Sequence, residues 1–200
     1  MSQTLPNKLA VALVSGGIDS PVAVARMLNA GWDIHCLHAS MEPITGFEAE
    51  LKTISVLEHL SAMQSSNDNW SGRINDSLTV IPVGDVLPLF TEADAHRDYF
   101  VHMKRLLNHL GCIMANQIGA THLLTGESLG QVSSQTLGNL GVIDSASSIP
   151  IHKPLLGFDK QEIMRMARSL GTFDLCKGSE ECDALGPAHP RTVAKLGRIS

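Results

Sequence analysis

Six residues, Ser15-Gly16-Gly17-Ile18-Asp19-Ser20, follow directly on the apolar run Leu9-Ala10-Val11-Ala12-Leu13-Val14. A short buried strand, a glycine turn flanked by hydroxyls and then an apolar-periodic helix make a cradle for an anion. Backbone N–H groups at the turn and the helix start point one way, and the helix dipole adds partial positive charge. Gly16 and Gly17 permit a sharp turn and a close approach of phosphate to the backbone. Ser15 and Ser20 add hydroxyl donors. A carboxylate such as Asp19 is repelled by phosphate unless a cation lies between them, so the set asks for a polyphosphate with Mg²⁺. The chain holds no GxxxxGK followed by Ser or Thr, and no GxGxxG follows the first strand, which sets aside the Walker and dinucleotide loops. The plainer alternative is a strand-turn-helix with a serine cap.

A second polar string runs Gly126-Glu127-Ser128-Leu129-Gly130-Gln131-Val132-Ser133-Ser134-Gln135-Thr136. It reads as a turn entering a helix, another candidate site for an anion or a ribose, with Ser128 as a simple helix cap in the alternative. A cap leaves Gln131 and Gln135 unexplained; on a helix they lie one turn apart on a shared face. Of the four cysteines, Cys36 falls in an expected strand and Cys112 on an expected helix, both as small core residues. Cys176 and Cys182 lie nearer the C-terminus. There is no CxxC, and the spacing fits no zinc site.

The elements that must position these residues alternate. Strands are expected at Leu9–Val14, Asp33–His38, Leu78–Val83, His122–Thr125 and Ser148–Ile151. Helices are expected at Pro21–Asn29, Phe47–Met63, Arg97–Gly119 and Ser128–Asn139, and after a box-like start at Asp159 and Glu162 that Gly171 ends. The polar stretch 64–77 reads as a surface loop. Such alternation predicts an α/β fold, a parallel sheet of about five strands with helices on both faces, with ligands beyond the carboxyl ends of the strands. Ser15–Ser20, His38 and the string from Gly126 all fall at those ends.

Two hundred residues at 44% hydrophobic fit one such domain with a real core. Aromatic content of 4% and a net charge of −5 argue against a base-stacking surface and against a broad phosphate-tracking surface, leaving room for a local basic patch. The N-terminus lacks signal-peptide architecture and no apolar run spans a membrane, so the expectation is a cytoplasmic chain with free thiols and no membrane partner.

SGGIDS resembles the pyrophosphate loop of the ATP pyrophosphatase superfamily, whose members cleave ATP between the α and β phosphates and place AMP on a substrate oxygen. Together with GESLGQVSSQTL and HKPLLGFDKQEI at His152–Ile163, the chain from about Leu9 to Lys195 resembles the ThiI family of tRNA 4-thiouridine synthetases, also linked to thiamine thiazole formation. GTFDL, EEC and HPRT further on agree with the family's C-terminal pattern. The resemblance implies an adenine nucleotide alpha hydrolase-like, Rossmann-like fold, with ATP and Mg²⁺ as cofactors. It implies that Leu13 and Val14 form a main-chain rim beside the loop Ser15, Gly16, Gly17, Asp19 and Ser20. His38 and Ala39 would contact adenosine, and Lys104, Gly126 and Gln135 would be further nucleotide contacts. Asp19 would hold the metal, and Lys160 and Lys104 would neutralise charge on the phosphates. Cys182 would carry a persulfide or release sulfide. The implied partners are tRNA and a sulfur donor of the cysteine desulfurase type.

Read without the resemblance, Lys104 is a solvated charge off the apolar stripe. Lys160 is a surface lysine in a first helical turn, where the dipole gives it nothing, and His38 is a packed polar residue at a strand end. Glu180, Glu181 and Asp183 raise the pKa of Cys182 if close, unless Lys177 or a bound cation compensates. Cys176 stays open as a disulfide partner of Cys182 or an iron–sulfur ligand. Fuller family members carry an N-terminal RNA-binding region with a THUMP domain, and some a C-terminal rhodanese domain. The expectation here is a single pyrophosphatase domain over residues 1–200 without either, ending in a loop-like, mobile tail over 178–200. His109 stands where a basic residue often follows Lys104-Arg105. Three functions remain open: adenylation and sulfur insertion on tRNA uridine; adenylation of a small-molecule acceptor; and a nucleotide-binding subunit, or a homodimer, that works with a separate RNA-binding or sulfur-donor protein.

Overall fold

The computed structural model describes residues 8–66, 70–178 and 184–199. Strands β1 (Leu9–Val14), β2 (Asp33–Ser40), β3 (Ile74–Pro82), β4 (His122–Leu124) and β5 (Ile151–His152) form one parallel sheet in the order β3-β2-β1-β4-β5. The helices are α1 (Asp19–Asn29), α2 (Glu48–Gln64), α3 (Tyr99–Ile118), α4 (Leu137–Asp144), α5 (Lys160–Leu170) and the short α6 (Leu196–Ile199).

Alternation along each strand decides what each face buries. Ala10, Ala12, Ile34 and Cys36 join a core with Val22 and Leu28 of α1, Leu57 and Leu60 of α2, and Ile163 and Ala167 of α5. Val11, Leu37 and Leu123 face the other way, onto Cys112 and Ala115 of α3. Both faces are covered, which is why β1 is apolar at every position. Among the described residues no helix is long and apolar enough to cross a membrane.

The strand order puts a reversal between β1 and β4. The chain runs outward through β2 and β3, then returns to the other side of β1. At such a point the loops leaving two neighbouring strands diverge and open a crevice at their carboxyl ends. Here those loops are residues 15–18 after β1 and 125–127 after β4, so topology alone brings the two polar strings together.

Three stretches differ in kind from their sequence patterns, and β5 covers Ile151–His152 rather than the expected Ser148–Ile151. β3 begins at Ile74, inside the stretch expected as loop. Its register with β2 shifts between the Ile34–Ile74 and Cys36–Leu78 pairs, a bulge whose polar residues find partners on β2. The Asn75 amide nitrogen lies 3.1 Å from His35 Nδ1, and the Thr79 hydroxyl lies 2.8 Å from His35 Nε2. Residues 128–139 are not one helix. They form turns, a 3₁₀ turn at Ser133–Gln135, and then α4, whose N-cap Thr136 accepts from the Asn139 amide. Ser128 caps nothing; its hydroxyl donates to the Phe158 carbonyl at 2.7 Å. The Gly130 amide bonds the Gln135 carbonyl at 2.9 Å, closing a loop that a continuous helix forbids, so Gln131 and Gln135 share no helical face.

The third is the C-terminal stretch expected as a loop-like tail, whose described residues 184–199 include α6 and a strap tied to α3 and α4. His96 Nε2 lies 2.9 Å from the Leu185 carbonyl, and the Arg191 amide donates to the Arg97 carbonyl at 2.8 Å. The Arg191 guanidinium pairs with the buried Asp98. Fully buried Asn139 donates to the carbonyls of Ser133 (2.7 Å) and Arg191 (2.9 Å) and accepts from the Ala194 amide (2.6 Å). The Thr136 hydroxyl donates to the Thr192 carbonyl at 2.6 Å.

Candidate active site

The anion cradle begins where β1 ends. Gly16 has φ +75°, and a Cβ there would lie 2.5 Å from the backbone oxygen of Ala49 on α2, so only glycine fits the turn. No side chain caps α1: its N-cap position is Ile18, without a side-chain hydrogen bond. The serine-cap alternative therefore does not hold here. The amides of the first turn are left for a ligand, at the positive end of an eleven-residue helix. Gly126 closes the other wall. A Cβ on it would lie 2.8 Å from the Ser20 nitrogen, so the loops after β1 and β4 meet backbone to backbone.

Lys160 is the first residue of α5, where the dipole disfavours a cation. The helix end is instead satisfied by its own capping box, with Asp159 Oδ1 accepting from the Glu162 amide and Glu162 Oε2 from the Asp159 amide, each at 2.8 Å. That leaves the Lys160 ammonium free to reach across to α1, where it meets Asp19 Oδ1 at 2.8 Å. Sequence separates the two by 141 positions; the fold makes them one unit.

His38 ends up buried and polar. Its Nδ1 donates to the Val14 carbonyl at 2.9 Å, locking the ends of β1 and β2 together beside the rim formed by Leu13 and Val14. Burial lowers its pKa, against the raising effects of that bond and of Glu50, and so disfavours the charged ring. Ala39, next along β2, packs against the cluster around Val83 and Tyr99. Gln135 is buried, and among the described residues its Oε1 has no partner; the Gln131 Nε2 is likewise buried without one. Such orphaned amides are the kind of group that a bound polar ligand satisfies.

Sequence reasoning missed a buried charge cluster beside Gly126. Lys104, on α3, meets Glu127 Oε1 at 2.8 Å, and Lys153, just past β5, meets Glu127 Oε2 at 2.9 Å. Lys153 also meets Asp144 Oδ1 at 2.7 Å, and the Thr125 hydroxyl donates to Glu127 Oε2 at 3.2 Å. Burial pushes the Glu127 pKa up, but the two ammoniums and their hydrogen bonds overcome it and hold the carboxyl at about 2. Lys104 is therefore no loose surface charge. The available signal was position: Glu127 follows the carboxyl end of β4 by three residues, and Lys153 directly follows that of the edge strand β5.

The cysteines sort by burial. Cys36, Cys112 and Cys176 are free and buried. Burial pushes the Cys36 thiol up to about 12. It pushes Cys176 up to about 11, with Lys52 lowering it and Asp19 raising it. Burial alone would raise Cys112 too, but hydrogen bonds from Ser147, Ser148 and Ile149 bring it below its ordinary value. Cys182 lies outside the described residues.

A family model described as thiamine biosynthesis protein (ThiI) matches residues 6–200. The chain belongs to the ThiI family. A probable tRNA sulfurtransferase of Acetivibrio thermocellus is 35% identical over 195 residues, covering 96% of this chain and 47% of the relative. One from Halobacterium salinarum is 35% identical over 189 residues, covering 94% and 46%. This ThiI chain thus spans about half the length of the curated relatives it matches. Among solved structures, a 4-thiouridine synthetase–RNA complex with bound ATP superposes with a TM-score of 0.83 at 29% identity, covering 96% of this chain and 48% of that one. An NMN synthetase from Francisella tularensis, at TM-score 0.62 and 15% identity over 92% of this chain and 71% of its own, shares the fold.

Proposed function

We propose that this ThiI chain binds Mg-ATP at the β1–β4 crevice and adenylates a tRNA uridine for replacement of oxygen by sulfur. The observation that carries the reading is the uncapped start of α1 held against Gly126, with Asp19 and Lys160 paired at its edge. Among the described residues no three His, Cys, Asp or Glu side chains group to hold a metal. One carboxylate beside a phosphate cradle suits Mg²⁺, which takes few protein ligands and the rest from phosphates and water. Asp19 would hold it, and the metal would supply charge neutralisation on the phosphates. Lys160 sits on that carboxylate and would turn to the leaving pyrophosphate. The rim at Leu13, Val14, His38 and Ala39 would take adenosine, with Gln135 offering its unpartnered oxygen.

The chemistry has two displacements. The uridine carbonyl oxygen attacks the α-phosphorus, and the bond to the β,γ-pyrophosphate breaks. Amides of residues 16–20 and the ammoniums of Lys104 and Lys160 would stabilise the charge that grows on the oxygens in flight. The outer sulfur of a persulfide on Cys182, loaded by a desulfurase-type donor, would then attack the activated carbon, and AMP leaves with the oxygen. A second thiol attacks the Cys182 sulfur, breaking the S–S bond so that the outer sulfur stays on the base, and an external dithiol reduces the disulfide left on Cys182. Support for an RNA acceptor comes from the 4-thiouridine synthetase–RNA complex with bound ATP at 29% identity.

Pyrophosphate release from Mg-ATP, with and without unmodified tRNA, tests this. Release stimulated by tRNA and lost in Asp19→Asn is the expected result. ATP binding without tRNA stimulation would move the acceptor to a small molecule, and release only after adding an RNA-binding protein would assign recognition to a separate subunit. Cys182→Ser should keep release and lose thiolation; retained thiolation would remove Cys182 from the mechanism.

A further inference from the structure

Glu127 faces two ammoniums that are not equivalent. Lys153 is nearly sealed from solvent and is held by two acids, Glu127 Oε2 and Asp144 Oδ1. Lys104 is more exposed, with 22% of its side chain accessible, and among the described residues its ammonium pairs with Glu127 Oε1 alone. The second oxygen is also bonded by the Thr125 hydroxyl. Glu127 therefore keeps a buried cation and a hydroxyl donor on one oxygen whether or not Lys104 stays on the other. A buried carboxylate stripped of every cation is costly, and Lys153 prevents that.

We infer that Glu127 is a positioning residue that holds Lys104 in reserve for the nucleotide's phosphates, with Lys153 as the fixed counter-charge that lets Lys104 leave. The inference rests on the reading of Lys104 as a phosphate contact. Glu127 and an incoming phosphate compete for the same ammonium, and Lys153 sets how strongly Glu127 competes. Removing the carboxylate frees Lys104; removing Lys153 makes Glu127 cling to it.

The two changes thus have opposite signs on nucleotide affinity; plain charge attraction gives those signs too, so the deciding readout is whether they vanish without Lys104. Mg-ATP binding to the folded full chain, by titration calorimetry, is the readout. Glu127→Gln should bind Mg-ATP roughly three- to tenfold tighter, and Lys153→Met weaker by about the same factor, the scale of one partly exposed ion pair. Lys104→Met should weaken binding and erase both effects when combined with either change. Weaker binding in Glu127→Gln, or effects that persist without Lys104, overturn the inference while leaving Lys104 a phosphate contact. Unchanged binding in Lys104→Met overturns the underlying reading itself. Should the buried variants fail to fold, nitrogen-15 NMR of the wild-type lysine ammoniums keeps the test, with Lys104→Met for assignment. Mg-ATP should shift the Lys104 resonance and leave Lys153 in place, and movement of Lys153 alone refutes the scheme.

Discussion

Asn139→Ala tests whether the strap at residues 191–194 is part of the folded unit. The change deletes three side-chain hydrogen bonds, to the Ser133 and Arg191 carbonyls and from the Ala194 amide. Ala194 is buried, so its amide is left without water and carries a desolvation penalty of roughly 1–3 kcal/mol. Ser133 and Arg191 are half-buried, and water can partly replace the lost donors, at roughly 0.5–1 kcal/mol each. The sum is about 2–5 kcal/mol, a large share of a typical stability of roughly 5–15 kcal/mol. Urea unfolding followed by circular dichroism measures it. Thr136→Val removes the bond to Thr192 and the cap of α4, at about 1 kcal/mol. Both residues hold one stretch of chain, so the double variant should lose less than the sum of the singles. A loss below about 1 kcal/mol for Asn139→Ala, or strict additivity of the pair, would show that the strap does not stabilise the fold in this way.

Other outcomes follow from the site. Gly16→Ala combines a left-handed backbone with a Cβ 2.5 Å from the Ala49 oxygen; it should lower stability by roughly 2–4 kcal/mol and abolish Mg-ATP binding, and an unperturbed melting curve with intact binding would contradict the geometry. Glu127 ionises in the fold at about 2 rather than 4.5, so its contribution is full above the unfolded value and is lost as pH falls through the folded one. The stability gap between the wild type and Glu127→Gln should be about 3 kcal/mol near neutrality and close between pH 4.5 and 2; a gap that ignores pH in that window sinks the ion-pair account. Cys112→Ser keeps a hydrogen-bonding group beside Ser147 in a buried site, so pyrophosphate release should stay within about twofold, and a large loss in a folded variant would give that thiol a chemical role.

Local signals explain what the sequence made legible. The run of glycines, hydroxyls and an acid after β1 specifies an anion cradle through residue type alone, and the box at Asp159 and Glu162 is read within one helical turn. The alternation of apolar runs predicts a parallel sheet because covered faces leave no polar positions. Less legible were features set by partners far along the chain. The bulge in β3 is written in polar residues that resemble a loop until His35 stands opposite them. Residues 128–139 carry glutamines at helical spacing, yet the Gly130–Gln135 bond and the Phe158 carbonyl on Ser128 pull them into turns. Nothing near Asn139 announces Arg191, 52 residues away.

The charges teach the same lesson more sharply. Lys160, Lys104 and Lys153 each read as a separate lysine in sequence, but the fold pairs them with Asp19, Glu127, and Asp144 together with Glu127. A chain of net charge −5 can hold a polyphosphate site only if its cations are not spent on solvent. Pairing them with acids at the crevice keeps them oriented, and on the proposed function partial exposure would let Lys104 and Lys160 exchange a carboxylate for a phosphate. Trading one ion pair for another changes little net charge, so on the proposed function the amides of α1 would provide the discrimination between an empty and a loaded cradle. The contacts that decide binding would then lie on the backbone, where Gly16 and Gly126 are fixed by close approach to Ala49 and Ser20.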